Sequence, residues 1–166
     1  MNVNFFDPLC QTTTQSSVFG ICDDTPPPSK PAYIDAIDRN KWIATVENTN
    51  QRELIFVAID NCIKIFRSDG SMDSRCDAML AFQDTIIFVE LKDRQSSGWL
   101  AKGESQLKNM IALFTANYDI SAYKFRNAYL SNKSKPNFQS GQMTRIQKFK
   151  NDTGFILKIS TVITIL

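Results

Sequence analysis

The chain has 166 residues, of which 43% are hydrophobic and 22% charged, and its formal net charge is +2. This composition is typical of one soluble globular domain. No apolar run approaches the roughly 18 residues that a membrane helix needs, and the N-terminus does not resemble a secretory signal. The chain lacks histidine and its four cysteines form no CxxC pair, which argues against zinc and against histidine-based catalysis. We therefore expect a cytoplasmic protein with reduced thiols and no membrane partner.

Positive charge is concentrated in the last third of the chain. Residues 101–166 contain ten basic and three acidic residues. Such a segment can face a polyanion, although a solvated lysine-rich surface explains the same composition equally well.

The first half of the chain has mixed signals. Residues 1–31 are rich in turn formers and proline, which predicts an irregular N-terminal arm preceding a single domain at residues 32–166. Residues 32–48 suggest a short helix and then a short strand. Residues 50–66 favour a helix, because Asn50 and Glu53 have the spacing of a capping box. The run LIFVAI inside this segment could equally be a buried strand.

The second half has clearer patterns. We expect strands at residues 76–82 and 85–93, a helix at 99–114, a strand at 123–130, a short basic helix at 142–150 and a final strand at 155–166. Loops are expected at 67–74, 95–98 and 131–137. This order predicts an α/β or α+β fold with a mixed central sheet flanked by helices.

The stretch RCDAMLAFQDTIIFVELKDR, residues 75–94, predicts a hairpin with Gln83-Asp84 as its turn. In that register the numbers of paired residues sum to 167, so Asp77 lies opposite Glu90 on one face, and Lys92 points the same way. A slip of one residue would separate the two carboxylates onto opposite faces.

Two carboxylates so close together repel each other unless they share a proton or a cation. Lys92 supplies part of the compensation, and Mg²⁺ binds well to one or two carboxylates plus waters. Such a site can acidify a water and stabilise a leaving phosphate oxygen. The competing interpretation is a surface ion pair at a strand end, which is common and contributes little to stability.

Asp77, followed by twelve residues and then Glu90-Leu91-Lys92, resembles the PD-(D/E)xK nuclease superfamily, whose fold is that of many restriction enzymes. The resemblance implies a restriction endonuclease-like fold and Mg²⁺ (or Mn²⁺) bound by Asp77, Glu90 and the main-chain carbonyl of Leu91. It also implies that Lys92 acts on the attacking water.

Two further roles follow from the resemblance, which covers about residues 50–130. Gln106 fits a glutamine found on the helix after the lysine, and Glu53 is the candidate for an assisting glutamate on the first helix, with Glu47 in reserve. Arg75-Cys76-Asp77 replaces the family's Pro-Asp, and Met110 stands where a tyrosine is often found.

Metal-dependent hydrolysis of nucleic acid, preferably DNA, is the first functional hypothesis. Phosphate contacts need only positive charge near the backbone. The candidates are Lys102, Lys108, Arg126, Arg145 and Lys148. No specificity domain is evident, so a partner protein or a second copy of the chain would supply target choice. The alternative is a non-catalytic accessory or immunity protein that keeps the fold and binds nucleic acid or protein.

Overall fold

The computed structural model describes residues 2–71, 73–93, 96–134, 138 and 141–166. Its strands are β1 (Gln11–Thr14), β2 (Val18–Cys22), β3 (Tyr33–Asp35), β4 (Ala44–Glu47), β5 (Leu54–Ala58), β6 (Ala78–Phe82), β7 (Thr85–Lys92), β8 (Phe125–Asn132), β9 (Ile156–Lys158) and β10 (Val162–Thr164). Its helices are α1 (Trp99–Asn117) and α2 (Met143–Thr153).

Two mixed sheets organise the chain. The larger has six strands in the order β1-β5-β6-β7-β8-β9, and the smaller has four in the order β10-β4-β2-β3. In the larger sheet β1, β5, β6 and β7 are antiparallel neighbours, whereas β8 and β9 run parallel to β7. The predicted α+β class, with a mixed sheet flanked by helices, is confirmed. The finer likeness to restriction endonucleases stays a prediction.

The six-stranded sheet forms the middle layer. On one face, Met79 and Phe88 pack in a core with Leu107 of α1 and Phe149 of α2. On the other face, Leu80, Ile87 and Val89 join a second core. The four-stranded sheet contributes Phe19, Ile21, Val46 and Ile163 to it. Strands β6 and β7 are therefore apolar on both faces because each face is covered.

The N-terminal residues belong to both sheets. Strand β1 pairs with β5, and β2 is central in the smaller sheet, so the prediction of an irregular segment is wrong for these stretches. Phe5 is fully buried, and its ring lies 5.4 Å from that of Phe114. Its backbone N–H donates to the hydroxyl of Tyr118 at 2.9 Å. These contacts hold the first residues against the end of α1.

The predicted helix at residues 50–66 is wrong, because residues 54–58 form β5. Asn48, not Asn50, organises the segment: it is fully buried, accepts a hydrogen bond from the backbone of Arg52 at 3.0 Å and donates to the carbonyl of Arg52 at 2.9 Å. This closes a turn between β4 and β5. The apolar run that follows is a strand buried between β1 and β6.

The later elements follow the prediction with two changes. The expected strands at 76–82, 85–93 and 123–130 and both expected helices are confirmed to within a few residues. The expected final strand is two short ones, because the chain leaves the larger sheet after β9 and enters the smaller sheet as β10. At residues 32–48 the helix is a short 3-10 turn, Arg39–Lys41, followed by β4. Parts of the predicted loops, residues 72, 95 and 135–137, lie outside the described residues.

Two cysteines form a disulfide. Gln11 lies opposite Val57 where β1 pairs with β5, so Cys10 comes next to the turn that follows β5. Cys10 and Cys62 are bonded there, with Cα atoms 5.8 Å apart. The prediction of reduced thiols is therefore wrong for this pair. Cys22 and Cys76 are free and buried.

Neither of the two described helices combines the length and the apolar character required to cross a membrane.

The close approach of the Trp42 ring to Gly20 provides a test of the packing. A methyl group at Gly20 would lie 1.9 Å from a ring carbon of Trp42, and the indole N–H is fixed by a 2.9 Å hydrogen bond to Asp35. We expect Gly20→Ala to lower the free energy of unfolding by about 2–3 kcal/mol, as overpacking does. Urea unfolding measures this.

The matched control is the same change in a Trp42→Leu background, where the ring is gone and Gly20→Ala should cost much less. Equal costs in the two backgrounds would contradict the proposed clash.

Candidate metal and catalytic site

The hairpin brings the two predicted carboxylates together. Phe82 pairs with Thr85 and Ala78 with Val89, so the predicted register is confirmed. The turn is closed by Gln83, whose φ of 46° lies in the left-handed region. The ladder ends at this pair, and the backbone N–H of Asp77 donates to the carbonyl of Val89 at 3.2 Å, so Asp77 lies at the same end of the hairpin as Glu90.

The carboxyl pair, Asp77 and Glu90, is buried, with 8% and 2% of each residue exposed. Asp77 Oδ2 accepts a hydrogen bond from the Leu91 backbone N–H at 2.7 Å. Glu90 Oε1 lies 2.9 Å from Lys92 Nζ. Glu90 Oε2 is buried and has no donor among the described residues. A hydrogen bond between this oxygen and the Asp77 carboxyl requires a proton on one of the two groups.

Burial dominates the electrostatics of the pair. It raises the pKa of Asp77 well above its ordinary value, and the charge of Glu90 raises it further. Burial also raises the pKa of Glu90 from 4.5 to about 7, although the ammonium group of Lys92 opposes this shift. Near neutral pH the pair therefore holds a proton readily, which is the expected behaviour of like charges in a dry site.

Lys92 connects the pair to α1. Its Nζ donates to Gln106 Oε1 at 3.0 Å, and Gln106 Nε2 donates to the carbonyl of Arg75 at 3.0 Å. Gln106 is thereby oriented with its oxygen towards the lysine. The structure thus brings Asp77, Glu90, Lys92 and Gln106 together at one end of the hairpin.

Two acidic residues that the sequence analysis missed lie around the pair. The charges of Asp23 and Asp60 contribute to the raised pKa of Asp77, after burial and Glu90. Asp60 forms an ion pair with Arg75, Oδ1 to Nη2, at 3.2 Å. Asp23 follows β2 and Asp60 follows β5, so each comes from a loop that adjoins the hairpin only in the folded chain. Periodicity within the sequence carries no signal for such residues.

An open cleft of about 560 Å³ lies beside Lys92. Leu91 and Lys92 line it together with the acidic residues Asp23, Asp24 and Asp93. Lys102 of α1 lines it as well and is exposed. A ligand in this cleft would meet the two lysine side chains and a group of carboxylates.

Glu53 does not belong to the site. It is exposed and immediately precedes β5, whereas Asp77 adjoins the other end of that strand, where its carbonyl accepts from the backbone N–H of Ile59 at 2.9 Å. Six residues of extended chain separate them, about 20 Å. The role expected for Glu53 is wrong because the helix on which it depended is a strand. Glu47 is exposed at the end of β4 in the other sheet.

Most of the predicted nucleic-acid contacts are already engaged in ion pairs. Lys108 and Lys148 lie 3.0 and 2.9 Å from Asp152 Oδ2. Arg145 pairs with Glu104. Arg126 donates from Nε to the carbonyl of Tyr123 at 2.7 Å. It lies opposite Ile86, which is four residues along β7 from Glu90. Of these five candidates, Lys102 is the one that lines the cleft at Lys92.

The donor set fits a hard divalent cation. Among the described residues no three side chains of His, Cys, Asp or Glu are grouped to hold a metal. The carboxyl pair nevertheless offers two carboxylates, one of them with an oxygen lacking a donor, and Mg²⁺ needs only one or two carboxylates because it keeps several waters. The main-chain carbonyl of Leu91 is a third oxygen in the same stretch.

The raised pKa of Glu90 predicts a characteristic pH dependence of stability in the absence of divalent metal. A folded-state pKa of about 7 against 4.5 in the unfolded chain means that the protonated pair stabilises the fold at low pH, and that this contribution is lost as the pH rises through 7. Between about pH 5 and pH 8 the native protein should lose roughly 2–3 kcal/mol relative to Glu90→Gln. Urea unfolding in EDTA measures the difference.

The control is Glu53→Gln, which removes an exposed carboxyl far from the pair. Its stability should depend on pH in the same way as that of the native protein. Parallel profiles for the native protein and Glu90→Gln would show that Glu90 is not held in a protonated pair.

No protein family, no curated protein and no solved structure matches this chain in the comparisons made with each.

Proposed function

We propose that this chain is a Mg²⁺-dependent nuclease that hydrolyses phosphodiester bonds in DNA through a PD-(D/E)xK-type site. The observation that carries the proposal is the contact between the buried carboxyls of Asp77 and Glu90 beside Lys92. Lys92 in turn contacts both Glu90 and Gln106. A pure scaffold has no need to bury two like charges, which costs several kcal/mol per uncompensated charge.

The order of elements around the site also supports the proposal. Three antiparallel strands, β5, β6 and β7, lead into α1, and α1 leads into β8, which is parallel to β7. Asp77 immediately precedes the second of these strands, Glu90 lies on the third, and Gln106 lies on the helix that follows. The resemblance implies a motif on a hairpin between two helices; here the following helix is α1, whereas a turn and β5 stand in place of the preceding one.

A charge balance favours a bound cation. Four carboxylates are grouped here. Asp77 and Glu90 form the pair, and Asp23 and Asp60 are close enough to shift its pKa values. Two cationic side chains are paired with them, Arg75 with Asp60 and Lys92 with Glu90. One divalent cation would displace the proton of the carboxyl pair and neutralise the two remaining negative charges. Asp77, Glu90 and the carbonyl of Leu91 would hold it, and Mn²⁺ would substitute for Mg²⁺.

The bound cation supplies an acidified water and a counter-charge for the leaving oxygen. The residues of the chain supply position and charge. Lys92 donates hydrogen bonds, so it can orient a water or a phosphate oxygen placed in the cleft. Gln106 keeps the ammonium group of Lys92 directed towards Glu90, since Oε1 accepts from Nζ while Nε2 is tied to Arg75.

A second candidate is the non-catalytic accessory protein. The observation that favours it is the pairing of Lys108, Arg145 and Lys148 with Glu104 and Asp152, which leaves less positive charge for a DNA backbone. On this alternative a partner protein or a second copy of the chain covers the cleft. The carboxyl pair then serves only as a proton-holding element of the core.

A cytoplasmic location also stays a proposal, in line with a DNA substrate. The Cys10–Cys62 disulfide argues the other way, since disulfides persist in oxidising compartments.

The catalytic proposal predicts DNA cleavage that requires Mg²⁺ or Mn²⁺ and stops in EDTA. Glu90→Gln and Asp77→Asn remove charge from the carboxyl pair while keeping its shape. Each should lower the single-turnover cleavage rate by about 100-fold or more, because several kcal/mol of charge stabilisation is lost. Glu53→Gln is the matched control and should cleave like the native protein.

Calorimetric titration with Mn²⁺ accompanies the assay and should show a heat that Glu90→Gln abolishes. Metal binding without cleavage of any DNA or RNA would favour the accessory protein. Cleavage that survives Glu90→Gln would exclude the proposed site.

The cleft predicts which lysine contacts the substrate. Lys102→Ala removes a charge that faces the cleft, so KM for DNA should rise by about fivefold while kcat changes little. Lys148→Ala removes a charge that is 2.9 Å from Asp152 and does not line the cleft, so it should change KM by less than twofold, as is usual for a surface pair. The larger effect at Lys148 would place the DNA across α2 instead.

A further inference from the structure

We infer that the Cys10–Cys62 disulfide regulates the candidate metal site, through the turn at residues 59–63 and Arg75. The inference rests on the proposed function, because it concerns the affinity of that same site for a divalent cation.

The disulfide holds a turn that adjoins the carboxyl pair. Cys62 lies in the turn that follows β5, where the backbone N–H groups of Cys62 and Ile63 both donate to the carbonyl of Ile59, at 3.2 and 2.9 Å. The backbone N–H of Ile59 donates to the carbonyl of Asp77 at 2.9 Å. One end of the turn is thus bonded directly to a predicted metal ligand, and the other end is cross-linked to the N-terminal segment.

Arg75 carries the coupling from this turn to Lys92. Its side chain is 8% exposed, and its guanidinium group pairs with Asp60 at 3.2 Å and donates to the carbonyl of Ile63 at 3.2 Å, so it bonds to the turn at two points. The backbone carbonyl of the same residue accepts from Gln106, which holds Lys92. Contacts of Asp60, Ile63, Arg75 and Gln106 therefore connect the turn at the disulfide to the lysine.

The disulfide is accessible to a reductant from one side. Cys10 is buried, but Cys62 is half-buried between the exposed residues Asn61 and Lys64, and Leu9 is also exposed. A dithiol can therefore attack the Cys62 sulfur as a thiolate, releasing Cys10 as a thiol. Its second thiol then displaces Cys62 from the mixed disulfide. The dithiol becomes a disulfide as it gives up two electrons, and each cysteine gains one proton.

Reduction removes the covalent tie that keeps the turn against the N-terminal segment. Arg75 still holds the turn through its partly exposed ion pair with the half-buried Asp60 and its hydrogen bond to the Ile63 carbonyl, which are weaker than a covalent bond. Greater freedom of the turn loosens the backbone at Asp77 and Arg75. The outer contacts of a metal site typically change its affinity by tenfold or more, and we expect reduction to weaken Mn²⁺ binding by about tenfold.

The test compares the oxidised native protein with the same protein reduced by a phosphine that is then removed without air. Mn²⁺ affinity is measured by calorimetry, circular dichroism checks the fold, and hydrogen exchange follows the backbone amide of Ile63. Reduction should weaken the affinity about tenfold and speed exchange at Ile63. Equal affinities in the two forms would overturn the redox link and leave the metal site intact. Absence of Mn²⁺ binding in both would overturn the proposed site and the link with it.

Two variants assign the effect. The double variant Cys10→Ser, Cys62→Ser should bind Mn²⁺ with the affinity of the reduced native protein, and treatment with the phosphine should not change that affinity. Cys22→Ala removes a buried free thiol and should retain the native response. A response that persists in the double variant would attribute the effect to another thiol and overturn the inference.

Discussion

The burial of two carboxyl groups at the end of one hairpin is the constraint that organises this chain. Each charge placed in a dry interior costs several kcal/mol unless it is paired or protonated. Asp77 has a backbone N–H, from Leu91, and Glu90 has the ammonium group of Lys92. Lys92 is itself oriented by Gln106 and, through it, by the backbone of Arg75. The surrounding polar network therefore exists to make this burial tolerable.

The middle position of the hairpin explains why the pair is dry. Strands β6 and β7 have helices on one face and a second sheet on the other, so almost every residue on them is buried. Charge can enter such strands only at their ends, where a cleft gives access to solvent. The carboxyl pair lies at that end, and α1, which begins at Trp99, places Gln106 against the lysine. If one face of this strand pair were exposed to solvent, both carboxylates on it would be solvated and their pKa values would not be raised.

The sequence predicts those parts of the structure that depend on neighbours along the chain. The hairpin register follows from a two-residue turn, and α1 and α2 follow from their apolar periodicity, so Asp77, Glu90, Lys92 and Gln106 could be found. Residues 50–66 mislead because Asn50 and Glu53 imitate a capping box, whereas the buried Asn48 closes a turn through contacts that only the folded chain provides. Pairing of β1 with β5, the Cys10–Cys62 disulfide and the approach of Asp23 and Asp60 are all non-local. No periodicity encodes them.

If the proposed function holds, the acidic surroundings of the site would make cation and substrate binding interdependent. Asp23, Asp24 and Asp93 line the cleft through which a phosphate would approach Lys92. Without a cation, a phosphodiester there meets carboxylates on one side and the ammonium groups of Lys92 and Lys102 on the other. A divalent cation held by the carboxyl pair reverses this balance, because its charge attracts the phosphate oxygens that the carboxylates repel. By linkage, the phosphate must then strengthen cation binding by the same factor. On the proposed function, the site would therefore bind Mg²⁺ more weakly alone than together with the nucleic acid.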